Sequence, residues 1–246
     1  MLDDDDRGSM TDMRWTEAVD LLDDLEGMDG LDRVFLTGLA VDGVSVATLG
    51  PALGSETLAC SDALALRLDE LQFDLGEGPC WDSMASGLPV IEPDVRRVPE
   101  GSWPGFSEAV RDLDLGAMFA FPLRVGPLEL GAVDLYRVRP GGLSDADQDH
   151  ALRVARLVSK RVLRHALLDA GEDPEEERRA TKHSRRAVHQ ATGMVLAQLG
   201  TTPEDAQLLL QAHAFAAGRP VREVAEEVLR GTLSFAVTDE GIEDAR

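Results

Sequence analysis

Apolar residues recur at helical spacing near the start of the chain. Ala18, Leu21, Leu22 and Leu25 predict a helix over Thr16–Glu26, and Leu31, Val34, Phe35 and Leu39 predict a second. After Gly43 the pattern changes to short strands, Val44–Leu49 and Glu56–Ser61. Asp62 is placed to cap a helix running to about Leu75, where Gly76-Glu77-Gly78-Pro79 stops it. Pro89–Ile91 reads as a short strand and Trp103–Asp112 as a short helix. Two longer β segments follow, Gly116–Val125 and Glu129–Val138, with Gly126-Pro127 between them as a hairpin turn.

The remainder is helical. Ser144 with Asp147 opens a long helix whose stripe of Ala151, Val154, Ala155, Val158, Val162 and Ala166 carries it to about Ala170. Gly171-Glu172-Asp173-Pro174 marks a domain boundary. Glu175–Leu199 then reads as one long helix with acids at its start, ended by Gly200. Thr202-Pro203-Glu204-Asp205 opens a second helix, a Thr cap followed by Pro at the first position, and Gly218 stops it. Pro220–Leu229 is a third, closed by Gly231. The pattern predicts an α+β domain followed by a separate three-helix unit.

Charge sharpens this division. The formal net charge of the 246 residues is -22. Residues 1–174 hold 15 basic and 34 acidic residues, whereas 175–246 hold 9 and 12. Arg178–Pro203 carries five basic residues and no acid. Charges beyond about 8 Å are screened at physiological salt, so a local basic stripe can serve phosphates on an acidic chain. No apolar run reaches the roughly 20 residues of a membrane span, and the N-terminus lacks a signal-peptide pattern, so a cytoplasmic protein is expected. Met1–Ser9 reads as an expression-tag remnant, with Met10 as the native start. Cys60 and Cys80 make neither a disulfide framework nor a metal-ligand spacing.

The segment Ala187–Leu229 resembles the ANTAR domain along essentially its whole length. The resemblance rests on Ala191-Thr192-Gly193 followed by Met194 and Val195, on Thr202-Pro203-Glu204-Asp205-Ala206 before Leu209 and Leu210, and on His213-Ala214. The Gly218-Arg219-Pro220 break and Val224-Ala225 complete it. It implies a three-helix RNA-binding domain on a long helix that often dimerises, holding paired hairpins of nascent transcripts against terminator formation. Arg185, Arg186, His189, Gln190, Ala191, Thr192, Gly193 and Arg222 are the candidate RNA-binding residues. Arginine forks suit phosphates and unpaired bases. Many family members carry Lys where Thr192 stands, so the charge at this position is absent and the arginines are expected to replace it. Packing is the competing role for Ala191 and Gly193, an inner hydrogen-bonded position for His213, and core or dimer seam for Met194, Val195 and Leu199.

Residues 14–168 resemble a GAF domain of the kind found ahead of such modules. Carrying residues are Leu71-Gln72, Gly76-Glu77-Gly78-Pro79-Cys80, Gly87-Leu88-Pro89-Val90, Trp103-Pro104-Gly105-Phe106, Phe121-Pro122-Leu123, Gly131-Ala132 and Leu135-Tyr136. The resemblance implies an antiparallel sheet flanked by helices and the sensing of an unknown small molecule. With no His before His150, the usual haem ligand is missing. Trp81 stands where bilin-binding relatives carry His, and the chain has no Asn for the cyclic-nucleotide motif. Cys80 is the candidate redox- or ligand-sensing residue, set against the commoner reading of a small packed thiol.

The expected organisation is a tag remnant over 1–9, a GAF sensor over 14–168, a helical connection over 169–180, an ANTAR domain over 181–235 and a disordered acidic tail over 236–246. The expected function is that of a non-enzymatic, homodimeric antitermination regulator of actinobacterial type, binding RNA and an unidentified small molecule, with no cofactor and no membrane. Two alternatives are a methionine sulfoxide reductase-like enzyme using Cys60 and Cys80, and a dimeric adaptor binding protein through Glu223, Glu226 and Glu227.

Overall fold

The computed structural model describes residues 4–50, 53–99, 101–169, 186–238 and 241–245. The Gly171–Pro174 boundary and the first part of the helix expected from Glu175 lie outside them. The chain divides into two compact units, residues 1–73 with 77–183 and residues 74–76 with 184–246.

The first unit opens with α1 (Asp4–Asp24) and α2 (Leu31–Gly38), then β1 (Gly43–Thr48), β2 (Glu56–Cys60) and α3 (Ala63–Leu75). It continues through α4 (Pro79–Ser86), β3 (Val90–Glu92), a 3-10 turn (Val95–Arg97), α5 (Pro104–Ala109), β4 (Ala117–Val125), β5 (Leu128–Arg137) and α6 (Asp145–Asp169). Helix α1 starts before the expected Thr16 and takes in Asp4–Ser9, part of the run read as a tag. Helix α4 is an addition to the sequence reading. Gly78-Pro79, read as a stop, also starts a helix, because Pro fits the first helical position.

The strands form one antiparallel sheet in the order β2-β1-β5-β4-β3. Its two faces differ. Alternation sends Val44 and Val46, Phe119 and Phe121, and Val133 and Leu135 to one side, where they meet Trp15, Phe35, Val154 and Val158 in an apolar core. The register pairs Ser45 with Asp134 and Asp134 with Ala120, so these residues lie on the opposite face. That face meets α3 and α4 through hydrogen bonds, described below.

The second unit comprises α7 (Arg186–Leu199), α8 (Pro203–Ala217), α9 (Val221–Arg230) and an antiparallel hairpin of β6 (Ser234–Thr238) and β7 (Gly241–Ala245). The hairpin corrects the expectation of a disordered tail from 236. Ser234-Phe235-Ala236-Val237-Thr238 is rich in strand-favouring residues, and Phe235 is buried. The Phe235 N–H donates to Gln198 Oε1 at 3.0 Å, which ties the strand to α7.

Candidate nucleic-acid interface

The second unit is shaped by one apolar row from each helix. Val188, Ala191 and Val195 of α7, Ala206, Leu210 and Ala214 of α8, and Val221, Val224, Ala225 and Val228 of α9 are all buried. Thr202 caps α8, its side chain accepting from the Asp205 N–H at 3.1 Å. Gly218 and Gly231 close α8 and α9 in the left-handed conformation. His213 sits partly buried with its ring edge against Phe235 at 5.7 Å.

Helix α7 carries no acidic residue. Packing one face of it leaves His189, Gln190, Gly193 and Ala197 exposed on the other. Residues 189, 193 and 197 follow the i, i+4, i+8 row and so line up along the axis. A β-carbon built on Gly193 meets nothing within 4 Å. A mid-helix glycine costs about 1 kcal/mol against alanine, and no close neighbour among the described residues offsets that cost. Packing does explain Ala191, which is fully buried. Two candidates lie on the packed side. Ala191 and Thr192 face the bundle interior, and the Thr192 hydroxyl donates to the Val188 carbonyl at 2.8 Å. Counting from Val188 and Val195 gives the signal: Thr192 lies four residues after one core position and three before the other.

Arg186 is the first residue of α7, and Arg185 lies outside the described residues. Arg222 is exposed on α9 and pairs with Glu226 at 3.2 Å. Exposed pairs of this kind contribute at most about 1 kcal/mol, so a phosphate can displace the carboxylate. The neighbouring Arg219 holds Glu227 with two nitrogens, at 2.9 and 3.2 Å, and Glu223 with a third, at 3.2 Å. Arginine thus occupies all three acids of α9 that suited a protein-binding face. The sequence reading missed two exposed apolar side chains on α8, Leu208 and Phe215, seven residues apart and therefore on one face.

In the first unit the polar sheet face is a connected network. Gln72 is fully buried on α3; its amide donates to Asp134 Oδ2 at 2.9 Å, and its carbonyl oxygen accepts from the Cys80 N–H at 2.8 Å. Thr57 donates to Asp69, also buried, at 2.5 Å. Ser83 donates to the Leu88 and Ala120 carbonyls, and the Trp81 indole N–H to the Gln72 carbonyl. Cys80 is the second residue of α4 and is buried, consistent with a packed thiol rather than one open to oxidants. Among the described residues no group of three or more His, Cys, Asp or Glu could hold a metal ion, and no helix is long and apolar enough to cross a membrane.

Asp62 anchors the edge of this face. Its Oδ1 accepts from the Leu64 and Ala65 N–H groups, both at 2.9 Å, and from the Tyr136 hydroxyl at 3.0 Å. Burial opposes its charge, but hydrogen bonds from Ser61, Ala65, Tyr136 and Leu64 outweigh it and lower its pKa. Burial, then the bond to Asp62, pushes the Tyr136 phenol up to about 12. A lowered carboxylate stabilises the fold above its unfolded pKa of about 3.9, and that contribution disappears as pH falls through the folded value. Asp62→Ala is expected to lose about 1–2 kcal/mol at pH 7. In urea titrations the gap from the parent should narrow below about pH 4; a gap constant down to pH 2 would refute this account.

Comparison with known proteins follows the same division. No curated protein matches the chain. Solved structures match the first unit. The GAF domain of a phosphoenolpyruvate-protein phosphotransferase from Coxiella burnetii is 12% identical, with a TM-score of 0.51 over 66% of this chain and 97% of that one. The corresponding Acinetobacter domain is 11% identical, with a TM-score of 0.48 over 63% and 93%. The free methionine-R-sulfoxide reductase of Neisseria meningitidis is 12% identical, with a TM-score of 0.47 over 68% and 96%. At these identities the likeness concerns the fold alone. Residues 176–229 match the ANTAR domain model, and the five-stranded antiparallel sheet with its helices has the GAF fold.

Proposed function

We propose that the helical unit binds paired RNA hairpins in nascent transcripts, and that the chain is a homodimeric regulator of transcription antitermination whose sheet unit senses a small molecule. The observation that carries this reading is Gly193, open on the acid-free exposed face of α7 inside the ANTAR-matching segment. A glycine that no neighbour requires lets a ligand's backbone come close. His189 and Gln190 bring hydrogen-bonding groups to the same face, and in the sequence Arg185 and Arg186 stand immediately before them as the nearest charges.

A sulfoxide reductase finds less support. Burial, and then the charges of Asp69, Asp32, Asp62 and Glu70, push the Cys60 thiol above its ordinary pKa. That suppresses the thiolate on which redox chemistry depends.

The test is binding of the full chain to paired-hairpin RNA from its own transcript leaders, titrated with salt. The parent should bind with an affinity that falls as salt rises. Gly193→Leu should bind about tenfold more weakly while melting at the same or a higher temperature, since leucine is the better helix former and meets no clash. Unchanged binding in Gly193→Leu would remove the face from the interface. A parent that binds none of these hairpins would refute the reading itself.

A further inference from the structure

Besides Arg178–Pro203, the chain has a second basic stretch free of acids. From His150 to Leu168 it carries Arg153, Arg156, Lys160, Arg161 and Arg164, in a region whose other charges are mostly negative. All five lie on α6. Arg161 is committed inward, donating to the Leu22, Leu25 and Gly27 carbonyls at the end of α1 and just beyond it. The other four are exposed. They fall at i, i+3, i+7 and i+11, so they share one helix face over about 16 Å. Helix α1 carries the exposed acids Glu17, Asp20, Asp23 and Asp24, yet none of the four cations makes an ion pair with any described residue. The same face exposes Leu157, Leu167 and Leu168. Beside Lys160 and Arg164 lies a shallow depression of about 300 Å³ floored by Val125, Leu163, Leu167 and Leu168.

We infer that this face of α6 is a second nucleic-acid surface, which takes single-stranded RNA by its phosphate backbone. A straight row of evenly spaced cations fits a polymer with regularly repeated negative charge. The apolar depression at its end gives an unpaired base a dry seat beside the guanidinium plane of Arg164, and bases of single strands stack on such planes. Packing the row against its own copy in a second chain would set cation against cation, which disfavours that occupant. The choice of RNA over another polyanion rests on the RNA-binding reading of the helical unit. The surface reads charge rather than sequence, because phosphate contacts carry no base information.

The experiment uses the full chain and a 20-nucleotide oligouridine, which forms no hairpin, between 50 and 200 mM KCl. For four single-strand phosphate contacts the log–log salt slope should be about -2.8, roughly 0.7 per contact. Changing Arg153, Arg156, Lys160 and Arg164 together to Gln should bring that slope close to zero. All four side chains are exposed, so the circular dichroism spectrum and melting temperature should hold. The variant Arg185→Glu with Arg186→Glu should keep oligouridine binding. The inference is overturned by no oligouridine binding by the parent at 50 mM KCl, or by equal binding by the quadruple variant. A quadruple variant that binds oligouridine normally but sediments as a smaller species would overturn it too, assigning the face to contact between copies. Failure of the hairpin reading shows separately, as a parent that ignores paired hairpins.

Discussion

The double reversal Arg185→Glu with Arg186→Glu is expected to weaken binding of paired-hairpin RNA by at least a hundredfold. Hydrogen bonds to charged groups contribute about 1.5–3 kcal/mol each, and each 1.4 kcal/mol is a factor of ten in affinity. Losing two such bonds therefore costs about 3–6 kcal/mol, before the repulsion between the new carboxylates and phosphate is added. Residues 189, 190 and 193, just downstream on α7, are exposed on the side the bundle leaves open. The loss should be greatest at low salt and shrink as salt screens the reversed charges. Gel-shift or anisotropy titrations at two salt concentrations measure it. A change smaller than threefold at low salt would take both arginines out of the interface and leave Arg222 and the exposed α7 side chains to carry it.

The largest effect on stability is expected at Gln72. Gln72→Leu should destabilise the first unit by about 3–5 kcal/mol, from two sources. It removes the amide donor from a buried carboxylate, Asp134, and the acceptor from the buried Cys80 N–H. Each buried group stripped of its partner costs about 1–3 kcal/mol, more when charged. Against a total stability of about 5–15 kcal/mol for a domain, that shift moves a urea midpoint substantially. Gln72→Glu should be worse at neutral pH, since it adds a second negative charge beside Asp134. It should also recover part of the loss in acid, where the two carboxyls can share a proton. A Leu variant within 1 kcal/mol of the parent would mean that the network relaxes around the missing amide.

The parts of the fold that the sequence disclosed are those written in short stretches. Ser144 and Thr202 announce their helices because a cap is a contact over three residues, and both side chains accept from the expected N–H groups. Asp62 does so by the same means. The alternation along Gly116–Val125 and Glu129–Val138 disclosed the central hairpin. Long-range bonds left no such trace. Gln72 and Asp134 lie 62 positions apart, and nothing at either position names the other. Helix α4 was hidden because Gly78-Pro79 serves equally as a stop and a start. At the candidate interface the composition of the open face was readable, whereas the inward turn of Ala191 and Thr192 emerged once Val188 and Val195 were fixed as core. The tail misled because its acids outweighed the strand-favouring Phe235, Val237 and Thr238 before them.

That tail bears on where the helical module ends. The ANTAR match stops at 229, which invites a fragment cut in the last turn of α9. Leu233 and Phe235 are nonetheless interior residues, and the Phe235 N–H is held by Gln198 on the far side of the bundle sequence. A fragment closed at 229 forfeits that edge of its own interior and uncovers the ring of His213, which Phe235 shields. Loss of RNA binding by such a fragment would then report a truncated folding unit, not a module that depends on the sheet domain. Dissection of the chain should keep the hairpin to Ala245 with the helices it completes.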